Sequence, residues 1–297
     1  MRFAIVPPYD RGVQADPDWM TRLADVAERL GFESLYLPEH AAVATGHAPE
    51  HHYTTDGGLG LPDDTPFPDP LAVLGHLAAR TTRLRLGTGM LILPQHHPVL
   101  LAKRLATLDV LSGGRVQVGL GVGWMREELS ALGVDPATRG RRADEAIQVL
   151  RALWRDDPAD FRGEFFAFTG LRCFPKPVQP GGIPLHVGGQ SEAAARRAGR
   201  LADGFHPLGV DGARLRRLTG VVRESAERAG RDPDRIELTL TCDLAAADDA
   251  SVARAAAAGV DRLVLTCRGL SFERLAAALA QVAERNGLTT DGGGRAC

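Results

Sequence analysis

Residues 84–120 read LRLGTGMLILPQHHPVLLAKRLATLDVLSGGRVQVGL. The first six, 84–89, form a short apolar, strand-like run. From Pro98 to about 111 the apolar residues recur at helical spacing, with proline at the first helical position. Gly113-Gly114 then turns the chain into a second strand-like run at 116–120. Strand, helix and strand in this order make one crossover unit, which places the two strands in parallel.

The same alternation extends in both directions. Strands are predicted at 3–7, 34–38, 184–187, 203–206, 236–242 and 263–266, with helices between them. Asp16-Pro17 and Asp69 open helices with an acidic cap, and Ser191 caps another that runs to about 201. Eight strands, each followed by a helix, predict an α/β fold, a single closed (β/α)8 TIM barrel over residues 1–286. An extended loop at 39–68 follows strand two, a loop at 121 to about 140 leads to a helix at 141–154, a small polar-aromatic excursion at 161–174 precedes strand five, and 287–297 reads as a loose tail. A doubly wound open sheet would want a glycine-rich turn after strand one, and Pro7-Pro8-Tyr9-Asp10 is not one.

Composition narrows the partners. The chain of 297 residues carries 35 basic against 37 acidic side chains, a net charge of −2, so the clustered basic excess of a nucleic-acid surface is not expected. The apolar run at the start is cut short by Pro7-Pro8, and nothing approaches the roughly 20 apolar residues of a membrane span. Cys173, Cys242, Cys267 and Cys297 have neither the spacing nor the density of a disulfide scaffold. The expectation is a cytoplasmic protein with plain thiols.

In a (β/α)8 barrel chemistry sits where strands end and loops begin, which shortens the candidate list. A His pair at the end of strand one, as a metal-dependent hydrolase would use, is replaced by two prolines. The two lysines, Lys103 and Lys176, stand on a helix and in a loop, so Schiff-base chemistry lacks its residue. There is no cysteine cluster for an iron–sulfur radical enzyme. His47, His51, His52 and Asp56 share the long loop, but a flexible polar loop is the expectation and no metal site is predicted.

Glycine remains. Val187-Gly188-Gly189-Gln190-Ser191 runs from a strand directly into a helix, where bare backbone and a helix N-terminus suit a phosphate; a tight turn is the other reading. Gly119-Leu120-Gly121-Val122-Gly123-Trp124 lacks the third spaced glycine of a dinucleotide fingerprint and comes after strand four. It reads instead as a strand end cleared so that a flat ring can lie over the barrel mouth, as does Gly87-Thr88-Gly89-Met90.

With Leu37-Pro38-Glu39-His40, the 106–115 run ATLDVLSGGR, Pro175-Lys176-Pro177 and Val187-Gly188-Gly189, these stretches make the sequence resemble the luciferase-like monooxygenase superfamily. The likeness covers residues 1 to about 210 and is strongest to its actinobacterial F420-dependent oxidoreductases. It implies coenzyme F420, or alternatively FMN, with a small organic substrate and a homodimer. It further implies that Glu39 and His40 face the cofactor ring. A non-prolyl cis peptide would lie behind the ring near Gly89-Met90, and Gly121, Gly188, Gly189, Gln190 and Ser191 would hold the cofactor. Two departures stand out. Trp124 replaces the acidic residue, and Ile92 the hydroxyl residue, that sugar-phosphate dehydrogenases of the superfamily place there, which argues against that substrate.

His40 has the right unperturbed pKa for proton transfer near neutrality, though a strand-end histidine also serves simply as packing. Trp124 reads as a substrate-pocket wall or as core filling, and His206 as a further pocket candidate. Glu127 and Glu128 read as helix-start charge before catalysts, and Arg139, Arg141 and Arg142 as solvated helix faces, with contact to cofactor charge as the other reading. The loop 39–68 is long enough for a substrate lid. The function expected is hydride transfer between F420 and a small organic substrate. The alternatives are an FMN-dependent monooxygenase of the same fold, or a flavin- or phospholigand-binding barrel without catalysis.

Overall fold

A computed structural model describes residues 1–46, 60–210 and 212–289. Eight parallel strands close into a barrel: β1 (Arg2–Ile5), β2 (Ser34–Leu37), β3 (Arg85–Ile92), β4 (Val116–Gly121), β7 (Leu185–Gly188), β8 (Gly204–His206), β9 (Glu237–Asp243) and β10 (Arg262–Thr266). The order around the barrel follows the chain, and β1 closes against β10 with Phe3 beside Leu263 and Ile5 beside Leu265. Between β4 and β7 the chain makes an antiparallel hairpin, β5 (Ala159–Arg162) and β6 (Ala167–Leu171), which is the expected excursion.

The helices are α1 (Pro17–Arg29), α2 (Pro70–Ala78), α3 (Pro98–Ser112), α4 (Arg126–Ala131), α5 (Arg139–Arg155), α6 (Glu192–Leu201), α7 (Gly212–Arg228), α8 (Asp249–Ala257) and α9 (Phe272–Arg285). Three of the caps are those the sequence predicts. Asp16 accepts from Asp18 N and Trp19 N, Asp69 from Ala72 N, and Ser191 from Ala194 N. The main apolar core lies between barrel and helices. Met20, Leu23 and Ala27 of α1, for example, pack with Leu35 and Leu37 of β2 in one buried cluster.

Three local readings change. The segment 121–140, expected as loop, contains α4 because Met125, Leu129 and Val134 bury an apolar side there. Helix α5 starts at Arg139, not at 141. Strand β3 continues to Ile92, past the expected end at Gly89, and its pairing with β4 slips between Thr88 and Leu91. The Gly89–Met90 peptide within that irregularity is cis. The loop histidines His47, His51 and His52, with Asp56, lie outside the described residues, as do Cys297 and most of the 287–297 tail. No helix among the described residues is long and apolar enough to cross a membrane.

The closed end of the barrel is polar. Arg262 is fully buried and forks onto Glu33, with Nε 2.8 Å from Oε2 and Nη2 2.7 Å from Oε1. Its Nη1 also reaches Glu237 and Thr239, each at 3.2 Å. Burial opposes ionisation of Glu33, but the Arg262 guanidinium outweighs it and holds the carboxyl at about 2.

Candidate active site

At the other end, where β2, β3, β4 and β7 finish, a cavity of about 560 Å3 opens. Its walls come from the loops that follow those strands, with the start of α5 and the first turn of α6. That volume is in the range of pockets that enclose a cofactor-sized ligand.

One wall carries the titratable groups. His40, just past β2, puts Nδ1 2.9 Å from Glu128 Oε2 of α4, and Glu128 Oε1 accepts from Ala41 N at 2.6 Å. Edge-on contacts hold the imidazole against Phe67 and Trp124, with centroids 5.2 and 6.0 Å away. Phe67 in turn stacks on Tyr9 at 5.3 Å. With Nδ1 taken by Glu128, Nε2 is the ring nitrogen left for the cavity that His40 lines. Burial works against ionisation of Glu128, yet its hydrogen bond to His40 and the histidine's charge prevail and keep the carboxyl below the ordinary carboxylate range.

Glu39 sits on the same wall but is turned to structural partners. Its Oε2 accepts from Ile92 N at 2.6 Å, and His96 Nε2 lies 2.9 and 3.1 Å from the two oxygens. Adjacent residues in extended chain point to opposite sides. Glu39 accordingly braces the end of β3 while His40 meets Glu128.

The opposite wall is glycine-rich. Gly188, Gly189, Gln190 and Ser191 line the cavity with Ala193 and Ala194 from the first turn of α6, so the helix start opens onto it. Gly189 has φ +125°, a backbone region that side chains disfavour. At Gly188 an added Cβ would stand 2.6 Å from Met90 Sδ, so a side chain there would have to displace the methionine. Two arginines join this wall. Arg197 of α6, nearly buried, pairs through Nε with Asp144 and donates from Nη2 to Gly140 O at 3.0 Å. Arg139, at the start of α5, donates to Pro136 O at 2.6 Å.

Of the predicted residues, Glu39, His40, Met90, Gly121, Trp124, Gly188, Gly189, Gln190 and Ser191 line this cavity. Two do not. Gly89 faces the barrel interior, where an added Cβ would meet the Tyr36 ring at 3.2 Å. His206 was expected in the pocket and is instead fully packed inside the barrel, with Nε2 2.9 Å from Thr241 Oγ1 and its ring edge-on to Tyr36. Burial, with the neighbouring His186 and Arg262 charges, pulls its pKa down to about 3, so it is neutral at physiological pH. Sequence reasoning preferred helix-start charge for Glu128 and a solvated face for Arg139, and it missed Arg197. Among the described residues, no group of three His, Cys, Asp or Glu could hold a metal ion.

The donor set suits a flat heteroaromatic ring with a phosphorylated side chain. Bare backbone, a helix N-terminus and two arginines form one wall, while Met90, Ile92, Trp124 and a histidine form the other. A model of the luciferase-like monooxygenase family matches residues 1–294. The chain belongs to the luciferase-like monooxygenase family. An uncharacterized Mycobacterium tuberculosis protein is 38% identical over 209 residues, 70% of this chain and 72% of that one. The F420-dependent glucose-6-phosphate dehydrogenase of Nakamurella multipartita is 31% identical over 242 residues, 78% of this chain and 66% of that enzyme. Among solved structures, the fold is shared with an F420-dependent secondary alcohol dehydrogenase in complex with an F420-acetone adduct. There the TM-score is 0.76 at 19% identity, covering 95% of this chain and 97% of that one. It is shared too with the monooxygenase RslO1 from Streptomyces bottropensis, at TM-score 0.72 and 24% identity, covering 96% and 98%. The fold is thus shared with an F420-dependent dehydrogenase and with a monooxygenase.

Proposed function

We propose that this luciferase-like protein is an oxidoreductase that transfers a hydride between coenzyme F420 and a small organic substrate. The observation that carries the reading is the pairing of two walls in one cavity. His40, held by Glu128 beside Trp124, faces the glycine-rich start of α6. The F420-dependent relatives favour the deazaflavin over FMN. When bound, F420 supplies or accepts the hydride, and the protein positions it and handles protons.

In this reading Gly189, Gln190, Ser191 and the first turn of α6 bind the phosphate, with Arg139 and Arg197 nearby to balance charge. Gly121 and Met90 receive the ring. Trp124 and Ile92 give the substrate side an apolar lining, which disfavours a sugar phosphate. Reduction of a carbonyl needs one proton for every hydride, and Nε2 of His40 donates it; in the reverse direction the same nitrogen takes it away. The same reading includes a homodimer, carried by the family resemblance, and a cytoplasmic location, carried by the sequence pattern.

Parallel titration of the purified protein with F420 and with FMN, followed by cofactor fluorescence, tests the reading. Tight binding of F420, with hydride transfer to or from a carbonyl or alcohol panel, is the expected result. Preference for FMN with oxygen consumption would move the protein to the monooxygenase reading. Cofactor binding without turnover by any reductant would leave only a binding barrel.

A further inference from the structure

The sequence offers Glu127 and Glu128 as an undistinguished acidic pair, yet the two part company in the fold. Glu127 is exposed, whereas Glu128 is buried and spends both oxygens. Oε2 meets His40 Nδ1 at 2.9 Å, and Oε1 accepts from Ala41 N at 2.6 Å. The carboxylate is thus held by the residue after the one it holds, and it cannot turn without giving up a backbone N–H.

We propose that Glu128 is the positioning residue for His40, fixing the imidazole as the Nδ1–H tautomer so that Nε2 presents its lone pair to the cavity. The proposal rests on the reading of His40 as the group that exchanges a proton in the reaction. A carboxylate only accepts, so a neutral histidine beside it must put its hydrogen on Nδ1. The same negative charge steadies the imidazolium that forms when Nε2 takes a proton. The other charged groups around His40 are accounted for. Glu39 is bound by Ile92 N and His96, Arg126 and Glu127 are exposed residues of α4, and Arg139 lines the cavity while donating to Pro136 O.

The geometry makes a definite statement about Glu128→Gln. Ala41 N is a donor, so the new amide must keep its oxygen there, and its NH2 must face His40 Nδ1. An NH2 can only donate, so the histidine is forced into the Nε2–H tautomer, the opposite of the wild type. The variant keeps the shape of the site and its hold on the loop, and reverses the proton.

The test is nitrogen-15 NMR of histidine-labelled full-length protein without cofactor, with the His40 signal assigned from His40→Gln. Expected is an Nδ1–H tautomer in the wild type, an Nε2–H tautomer in Glu128→Gln, and at least a tenfold loss of proton affinity at the ring. An Nε2–H tautomer in the wild type would overturn the proposal without recourse to any variant. The same tautomer and titration midpoint in both proteins would overturn it too. A merely structural glutamate would lower the melting temperature of the variant and leave the tautomer alone. Because the spectra need no cofactor, they judge Glu128 separately from the proposed reaction. In the active enzyme, the His40-dependent limb of the kcat/KM profile should move to lower pH in Glu128→Gln by the same factor, with cofactor affinity within threefold. Turnover absent from the wild type would sink the hydride-transfer reading and leave the tautomer result standing.

Discussion

Met90 Sδ occupies the space where Gly188 would carry its side chain: a Cβ added there would stand 2.6 Å from the sulfur and 2.7 Å from Met90 Cγ. The irregular end of β3 and the end of β7 are thereby fitted to each other across the cavity floor. Gly188→Ala should destabilise the protein by about 1–3 kcal/mol through overpacking and weaken cofactor binding as Met90 is pushed toward the cavity. Met90→Ala in the same chain should recover at least about 1 kcal/mol of that loss, since residues in direct contact are not additive. Urea denaturation of both single variants and the double variant, with F420 and FMN titration alongside, checks it. Full additivity would mean that the two residues do not share the space.

Glu39 and His40 are neighbours in sequence and differ in task. Glu39→Gln retains an oxygen for Ile92 N and should keep kcat within about tenfold, costing about 1–2 kcal/mol of stability from weakened charged hydrogen bonds. His40→Gln should lower kcat by about 10²–10⁴-fold, the usual contribution of general acid–base catalysis. Steady-state kinetics on the two variants decides between them, and equal losses would return Glu39 to the proton-transfer role.

Acid should unfold the protein in two stages. Buried His206 and His186 have pKa values pulled from 6.5 to about 3 and about 4 by burial and by nearby positive charge. The unfolded chain binds protons there first, so their contribution is complete above pH 6.5 and is lost as pH falls below it. Glu33, lowered from 4.5 to about 2 beside Arg262, contributes above 4.5 and loses that as pH falls toward 2. At about 1.4 kcal/mol per unit, Glu33 alone accounts for roughly 3 kcal/mol. Urea unfolding across pH 7.5 to 3 should show stability declining from pH 6.5 and more steeply below 4.5. Glu33→Gln should make the decline below 4.5 shallower, since Glu128 and Glu237, also held low, share it, and should leave the first stage in place.

Trp124 lines the cavity with its ring edge-on to His40. Trp124→Leu should raise substrate KM about tenfold or more, the scale of losing an aromatic contact of about 1.5 kcal/mol, with cofactor affinity within threefold. A variant that loses cofactor binding and keeps substrate KM would place the indole against the cofactor instead.

Much of the fold was legible because it is locally encoded. The alternation of short apolar runs with helical stretches marks strands and helices whatever their neighbours, and Asp16, Asp69 and Ser191 cap their helices with atoms two or three residues away. Glycines beside strand ends could be read as close approaches, and most of them do line the cavity. Helix α4 escaped, because it depends on what packs against it, and the break in β3 with its cis Gly89–Met90 peptide was reached only through the family resemblance.

Partnerships across the chain were a different matter. Glu128 finds His40 from 88 residues away, and Glu39 finds Ile92 and His96 from 53 and 57. These contacts exist because β2, β3 and β4 lie side by side and release their loops at one end of the barrel. His206 shows the reverse. Its place at a strand end suggested the cavity, but its ring points inward, onto Thr241 and Tyr36. The sequence by itself determined the barrel, its helix caps and the set of loops that could carry chemistry, since those follow from periodicity and short-range hydrogen bonding. Only the tertiary structure decided which carboxylate serves the histidine, which one braces the backbone and which histidine is sealed in the core. Those choices depend on which way each side chain points once the strands are closed into a ring.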